Sequence, residues 1–304
     1  MTATAGPAET AIAFIGLGNM GLRIASHVSQ AFANTLSYDR EPSRAAAASA
    51  AGVPVAKSAS ELADRQFDIV LVSVNTPHAL TEVLTGQDSF LRQQRGGTIV
   101  LDIGTTGATR SRELADSLKS FGHRFIDAPI SGGINGAARG DLTAMVGSAG
   151  GDAVVDRVLR SFCARVHYMG DIGLGAVAKL ANNAVAIGTL GLLGEALAYA
   201  ENAGLDRGKA LEVMTSSSGD SRILRSKQQL IEHAEYGEPQ FEIQVALKDI
   251  RLLLDEVRDD APSELPLLTA VSELVGFAAL QCDKPADISV IADPKTRRAV
   301  GPIS

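Results

Sequence analysis

Ala11-Ile12-Ala13-Phe14-Ile15-Gly16-Leu17-Gly18-Asn19-Met20-Gly21 is the stretch that decides how this chain folds. An apolar run of strand length ends at a glycine turn, and the helical pattern that follows reaches about Phe32. The glycines have separate uses. Gly16 permits a tight turn, Gly18 lets the backbone approach a pyrophosphate, and Gly21 lets helix and strand pack closely. Phosphates would then rest over the helix N-terminus, where unpaired N–H groups and the dipole favour an anion. A second strand, Thr35 to Tyr38, ends in Asp39, roughly 20 residues on, where a carboxylate takes ribose hydroxyls. The spacing therefore predicts a dinucleotide cofactor held by Gly16, Leu17, Gly18, Asn19, Met20, Gly21 and Asp39. Arg40 leaves the choice between NAD and NADP open. A carboxylate repels a 2′-phosphate, whereas a guanidinium can pair with it or stack on adenine, and Asp39 tilts the expectation to NAD.

The alternation of strand and helix continues. Pro42 to Ala51 reads as helix, Pro54-Val55 as a short strand, and Ser58 to Asp64 as a helix with Ser58 at its N-cap. Phe67 to Val74 is a continuous apolar strand of the kind a parallel sheet buries on both faces. It opens into Asn75-Thr76-Pro77, at the carboxyl edge where open α/β sheets bind ligands. Thr98 to Leu101, helix Arg110 to Phe121 and strand His123 to Asp127 complete a doubly wound unit. Asp127 then opens a glycine-rich loop through Ala137. On its residues alone this loop is either an ordinary turn or a cradle in which the Ser131 hydroxyl and the N–H groups at Gly132 and Gly133 hold a carboxylate. Strand Leu142 to Val146, helix Asp152 to Phe162 and strand Val166 to Met169 follow.

From Gly173 to Ala203 the apolar residues keep helical spacing without a proline, which predicts one long helix. Lys179 and Asn183 are four residues apart and so share a face. The surroundings are mostly Ala, Leu, Gly and Ile. Two readings fit Lys179 there, a lysine snorkelling from a buried helix or a partly desolvated amine able to move a proton near neutral pH. Beyond Ala203 strand signals stop, and helices are expected over Arg207 to Thr215 (capped by Asp206), Ser221 to Glu232, Phe241 to Arg258 and Pro266 to Gln281, with a polar tail from Asp293. The expected organisation is a dinucleotide-binding unit over 1–170 and an all-helical substrate and dimerisation domain over 171–304, the long helix joining them. That helix is too apolar for a small helical domain to cover, which predicts a homo-oligomer, dimer or tetramer.

Composition bounds the rest. The 304 residues are 45% hydrophobic and carry a net charge of −7, with no basic run, so nucleic acid and anionic membrane are not expected partners. Cys163 and Cys282 lack C-x-x-C spacing and read as two buried thiols in a reducing compartment. The five histidines form no ligand spacing, so no metal is expected. Met1 to Thr10 reads as a polar tail without the features of a signal peptide, and Asn182, Asn183 and Glu195 interrupt the apolar helix, which leaves the cytoplasm as the expected location.

With these stretches in view, the sequence resembles the β-hydroxyacid dehydrogenase family, the group of 3-hydroxyisobutyrate dehydrogenase and tartronate semialdehyde reductase. Four motifs occur in the family's order: Gly16 to Gly21, Asp127-Ala128-Pro129-Ile130-Ser131-Gly132-Gly133, Gly175 to Lys179 with Asn182-Asn183, and Lys248-Asp249 after Phe241. The resemblance implies that Lys179 is the catalytic acid/base, that Asn183 hydrogen-bonds the substrate, and that Ser131, Gly132 and Gly133 grip its carboxylate. It further implies Phe241 and Asp249 on the substrate side, and Asn75, Thr105 and Lys248 on the cofactor side. The implied substrate is a small 3-hydroxyacid and the cofactor NAD, with NADP possible. Two positions depart from the family pattern, Gly104 where Ser is common before Thr105, and Asn75 where Pro is common. The fold is shared by oxidative decarboxylases like 6-phosphogluconate dehydrogenase, which place His where this chain has Asn182, and by imine reductases, which usually replace the lysine. A non-catalytic NAD(P)-binding protein on the same scaffold would tend to lose Lys179 or gain a charged extension, and neither is seen here.

Overall fold

A computed structural model describes residues 10–260 and 265–296, and the side chains of 258–260 are outside the description. The chain divides into two units, 1–179 and 180–304. In the first, strands β1 (Ile12–Ile15), β2 (Thr35–Tyr38), β3 (Ile69–Val72), β4 (Ile99–Asp102) and β5 (Arg124–Asp127) form a parallel sheet in the order β2-β1-β3-β4-β5. Alternate residues of each strand enter different cores. Ile12, Phe14, Ile69, Leu71, Leu101 and Ile126 pack on one face, while Ala13, Ile15, Val70, Val72, Val100 and Phe125 pack on the other. Burial on both faces is why these strands read as unbroken apolar runs.

Helices α1 (Asn19–Ala31), α2 (Pro42–Ala50), α3 (Ala59–Ala63), α4 (Pro77–Thr85) and α5 (Ala108–Ser120) make the crossovers. Their starts are written in the sequence. Pro42 and Pro77 stand in the first turns of α2 and α4, where a missing N–H costs nothing. Ser58 and Thr76 accept the N–H groups of Glu61 and Ala79 at 3.4 and 3.1 Å. The chain runs outward from β1 to β2, then returns to β3 on the other side of β1. That reversal is a topological switch point, and its carboxyl edge is where the glycine turn lies.

A second sheet follows β5. Strand β6 (Ile130–Ser131) pairs antiparallel with β7 (Leu142–Val146), which pairs parallel with β8 (Cys163–Tyr168). Helix α6 (Gly133–Arg139) connects β6 to β7, and α7 (Ala153–Arg160), capped by Asp152, connects β7 to β8. After β8 come helices and one isolated bridge, Glu242 to Asp287, among the described residues. Helix α8 (Leu174–Asn202) is followed by α9 (Arg207–Ser216), α10 (Arg222–His233), α11 (Ile243–Asp260), α12 (Pro266–Leu280) and a short 3-10 turn over Ile288–Ala292. Ile187, Leu190, Leu193 and Leu197 of α8 enter the second unit's core with Ile243, Leu247, Ile250, Val275 and Ala278. Helix α8 is long and apolar enough to cross a membrane by length and composition, but half of that apolar window is buried inside the protein. A core helix meets the same criterion.

Several expectations need correction. Pro54-Val55 is not a strand but a single bridge from Val55 to Ser37. The loop expected from Asp127 to Ala137 contains β6 and most of α6. Helix α4 and the turn at Ile288–Ala292 were not anticipated. Thr10, placed in the tail, is buried, and residues 1–9 of that tail lie outside the described residues. Asp293, read as the start of a polar tail, is also buried. It accepts the Tyr236 hydroxyl at 3.1 Å and pairs with Arg207 at 3.6 Å, while 297–304 lie outside the described residues. Cys163 is buried, and burial pushes its thiol up to about 12, but Cys282 is only half-buried.

Candidate active site

The glycine turn has the shape its sequence foretold. Gly16 sits at φ +97°, and a Cβ there would lie 2.2 Å from the Ser73 carbonyl oxygen. A Cβ on Gly21 would lie 1.9 Å from the Gly16 carbonyl oxygen, so helix and turn touch backbone to backbone. Over Gly18, the N-cap of α1, the nearest atom to a Cβ would be Arg44 Nη1 at 4.0 Å. No side chain caps α1, and its first turn holds no acidic residue. Open N–H groups beside a small-residue turn fit a pyrophosphate.

Asp39 closes the turn from the second strand. Its Oδ2 accepts Leu17 N–H at 2.7 Å and its Oδ1 accepts Glu41 N–H at 2.9 Å. Arg44 stands 3.9 Å from the same Oδ2 and is half exposed, so its attraction there is screened and worth little. Arg40 is exposed. Asp39 thus fixes the glycine turn to the end of β2, a bond across 22 residues that spacing alone did not predict.

The carboxyl edge beyond β3 and β4 carries Asn75, exposed, and Thr105, half-buried. Asp102, at the end of β4, accepts Gly104 N–H at 2.9 Å and the Thr106 hydroxyl at 2.6 Å, which fixes the loop on either side of Thr105. A Cβ at Gly104 would lie 3.0 Å from both Asp102 Oδ1 and the Val74 carbonyl oxygen. The loop is packed around the absence of a side chain there. A side chain at this position would press on that packing.

Asp127 ends β5 and is buried. Its Oδ1 accepts Gly173 N–H at 2.8 Å and its Oδ2 accepts Ala176 N–H at 2.9 Å. Burial pushes this carboxyl up, and the N–H groups of Gly173, Ala176 and Gly175 offset part of that rise. Four residues on, Ser131 is half-buried in β6, and Gly132 and Gly133 both adopt positive φ, +133° and +64°. Gly132 is exposed, and a Cβ there would meet Leu142 Cδ2 at 2.8 Å. The chain turns sharply between β6 and α6 because both residues lack side chains.

Lys179, half-buried, and Asn183, buried, are one turn apart on α8. Within the second unit Asn183 donates Nδ2–H to Asp249 Oδ2 at 2.7 Å, joining positions 66 residues apart. Lys248 Nζ lies 2.9 Å from Asp249 Oδ1, and Asp249 is 2% exposed. Phe241, at the entry to α11, packs against the second unit's core. Its N–H, with that of Gln240, is accepted by Asp287 Oδ2 at 3.1 and 2.9 Å, and the same oxygen takes Lys227 Nζ at 2.6 Å. The pair Lys227 and Asp287 holds the segment leading to Lys248 and Asp249. Sequence reading passed over it, as it did Asp102 and Arg44; an acidic residue at a strand end before a Gly-Thr loop was the available signal for Asp102.

Comparison with known proteins agrees with this construction. A family profile described as the NAD binding domain of 6-phosphogluconate dehydrogenase matches residues 11–170. A second, described as NAD-binding of NADP-dependent 3-hydroxyisobutyrate dehydrogenase, matches residues 173–294. An uncharacterized oxidoreductase of Shewanella frigidimarina is 30% identical over 267 residues, 86% of this chain and 90% of that one. The mitochondrial 3-hydroxyisobutyrate dehydrogenase of Mus musculus is 33% identical over 213 residues, 69% of this chain but only 63% of the mouse protein's length. The solved structure of the 3-hydroxyisobutyrate dehydrogenase of Mycobacterium tuberculosis with L-serine superposes with a TM-score of 0.80 at 29% identity, covering 93% of this chain and 98% of that one.

Fold, glycine turn and relatives define an NAD(P)-dependent oxidoreductase of hydroxyacids. Within that class, the chain belongs to the β-hydroxyacid dehydrogenase family.

Proposed function

We propose that this protein interconverts a small 3-hydroxyacid, of the 3-hydroxyisobutyrate or glycerate type, and the corresponding oxoacid, with Lys179 as acid/base. The observation that carries the reading is Lys179 one turn before Asn183, on a helix whose first turn is bonded to the strand leading into Ser131. When bound, the nicotinamide supplies the acceptor or donor of the hydride exchanged with the carbinol carbon. Lys179 takes the hydroxyl proton in oxidation and returns it to the carbonyl oxygen in reduction, where charge develops. Asn183, oriented by Asp249, donates to the substrate, with Phe241 and Asp249 bounding it. The Ser131 hydroxyl and the N–H groups at Gly132 and Gly133 hold the carboxylate. On the cofactor side Gly16 to Gly21 take the pyrophosphate and Asp39 the ribose, with Arg40, Asn75, Thr105 and Lys248 completing the contacts. NAD is the preferred form, because a carboxylate at Asp39, at the end of β2, would take the ribose hydroxyls and repel a 2′-phosphate. The L-serine bound to the M. tuberculosis relative, a three-carbon acid with a hydroxyl on C3, supports the size and class of substrate. The helical unit serves substrate binding and homo-oligomerisation, and the cytoplasm is the setting in which we read the protein.

The test is nicotinamide absorbance with a panel of short hydroxyacids, on the unmodified protein and two variants. Lys179→Ala should lose about 10²–10⁴-fold in kcat with cofactor affinity unchanged. Ser131→Ala should raise KM for acids and leave an analogue without the carboxylate little affected. Near-full turnover by Lys179→Ala overturns the acid/base assignment. Equal activity on plain alcohols overturns the substrate class.

A further inference from the structure

Helix α8 starts at Leu174, directly after Gly173. The first N–H groups of any helix lack partners within it. Here two donors at this end, Gly173 N–H and Ala176 N–H, are accepted by a carboxylate 46 and 49 residues earlier in the chain, Asp127 at the end of β5. The Asp127 main-chain carbonyl also accepts Gly147 N–H at 2.7 Å, so strand end, β7 and helix start meet on one residue. Glycines surround the carboxylate. A Cβ on Gly147 would lie 2.0 Å from its Oδ1, and one on Gly175 would lie 2.8 Å from its Oδ2 and 2.4 Å from the Met145 carbonyl oxygen. Gly173 takes φ +92° to present its N–H. The site is built to the dimensions of an aspartate.

The N–H groups and the helix dipole stabilise the charged carboxylate and offset part of the cost of burying it. Lys179 follows Ala176 by three residues, about 4.5 Å along the axis at about 1.5 Å per residue. No flexible segment separates the bonded turn from the lysine. We propose that Asp127 is the positioning residue of Lys179, its carboxylate fixing to the end of β5 the first turn of α8, which leads directly into the turn that carries the lysine. This rests on the reading of Lys179 as acid/base. The residue's second neighbourhood, the Ser131 loop four residues on, would report on KM for the acid; the helix start reports on kcat.

The experiment is a double-mutant cycle with Asp127→Asn and Lys179→Ala, following kcat, KM and cofactor affinity in the full chain. Asp127→Asn keeps the shape but turns an amide donor toward one of the two N–H groups. It should lower kcat by about 10–100-fold, the usual cost of an ångström-scale misplacement, with KM for the acid and cofactor affinity within about threefold. Added to Lys179→Ala it should cost nothing more, because it acts only through that lysine. Losses that multiply in the double variant, or a raised KM with kcat intact, overturn the proposal. Full turnover by Lys179→Ala alone instead overturns the underlying functional reading. Should Asp127→Asn not fold, Gly175→Ala perturbs the same contact from the helix side and is put through the same cycle, with the same outcomes deciding.

Discussion

Replacing Asp287 by Asn should destabilise the helical unit far more than a one-atom change suggests. Lys227 and Asp287 are 4% and 0% exposed, and their 2.6 Å contact is a fully buried ion pair. Asp287 also accepts Gln240 N–H, Phe241 N–H, Ser289 N–H and the Ser289 hydroxyl. An asparagine keeps one acceptor oxygen and sets a donor against donors, while the Lys227 ammonium stays buried without its counter-charge. Breaking a buried pair in this way costs about 3–5 kcal/mol. For a unit of this size that is roughly 10–20 °C in Tm. Calorimetry is the assay of choice, because a chain of two units need not unfold in one step. Lys227→Met should cost less, since four donors still satisfy the carboxylate, and the double variant should be milder than the sum of the singles. Acid gives a second readout. Burial alone would raise the Asp287 carboxyl, but the Lys227 charge and hydrogen bond, with the N–H groups of Ser289 and Phe241, outweigh it and hold the carboxyl below its ordinary value of 3.8. The folded protein therefore binds this proton more weakly than the unfolded chain. Its contribution is complete above about pH 4 and is lost as pH falls through the folded value. Asp287→Asn should flatten that acid limb. A Tm within about 3 °C of the unmodified protein, or single costs that simply add, would refute the reasoning.

Three other outcomes are expected. Asp39→Asn should narrow the preference for NAD over NADP in steady-state kinetics, and equal or better use of NADP by the unmodified protein would contradict the role given to Asp39. Val185, Leu192 and Tyr199, 72%, 68% and 79% exposed at seven-residue spacing on α8, form an apolar stripe; light scattering at micromolar concentration should give an oligomer that Leu192→Glu weakens, and a monomeric mass would count against it. Gly104→Ser should lower stability by about 1–3 kcal/mol through overpacking against Asp102 and Val74, and an unchanged melting temperature would show that the loop yields.

Much of this architecture could be read from residues because local signals and tertiary structure agree. Thr35–Tyr38 and Leu142–Val146 were expected at their observed limits, and the caps at Ser58 and Asp206 stand where the chain chemistry put them. Helix α4 was missed because Pro77 was read as loop, though Thr76 followed by proline is also the signature of a helix start. Helix α6 is different in kind. Its sequence, Gly-Ile-Asn-Gly-Ala-Ala-Arg, has poor helix propensity, and tertiary contacts override it. His27 of α1 donates to the carbonyls of Ala137 and Ala138 at 3.1 and 3.2 Å, and Gly136 admits Leu142 to close range. At the site, the glycine turn was legible as a spacing. The bonds of Asp39 to Leu17, Asn183 to Asp249 and Asp127 to Ala176 join residues 22, 66 and 49 positions apart, which no local pattern encodes.

The buried carboxylate of Asp127 bears on where this protein can be cut. Sequence likeness separates the halves between 170 and 173, yet a fragment ending at 170 would keep Asp127 and lose both N–H groups that its side chain accepts. It would keep a buried carboxylate without its main donors, and would gain by protonating it or loosening the end of β5. A fragment carried on through Lys179 keeps both bonds. The first turns of a helix that sequence similarity assigns to the second half thus answer a carboxylate of the first.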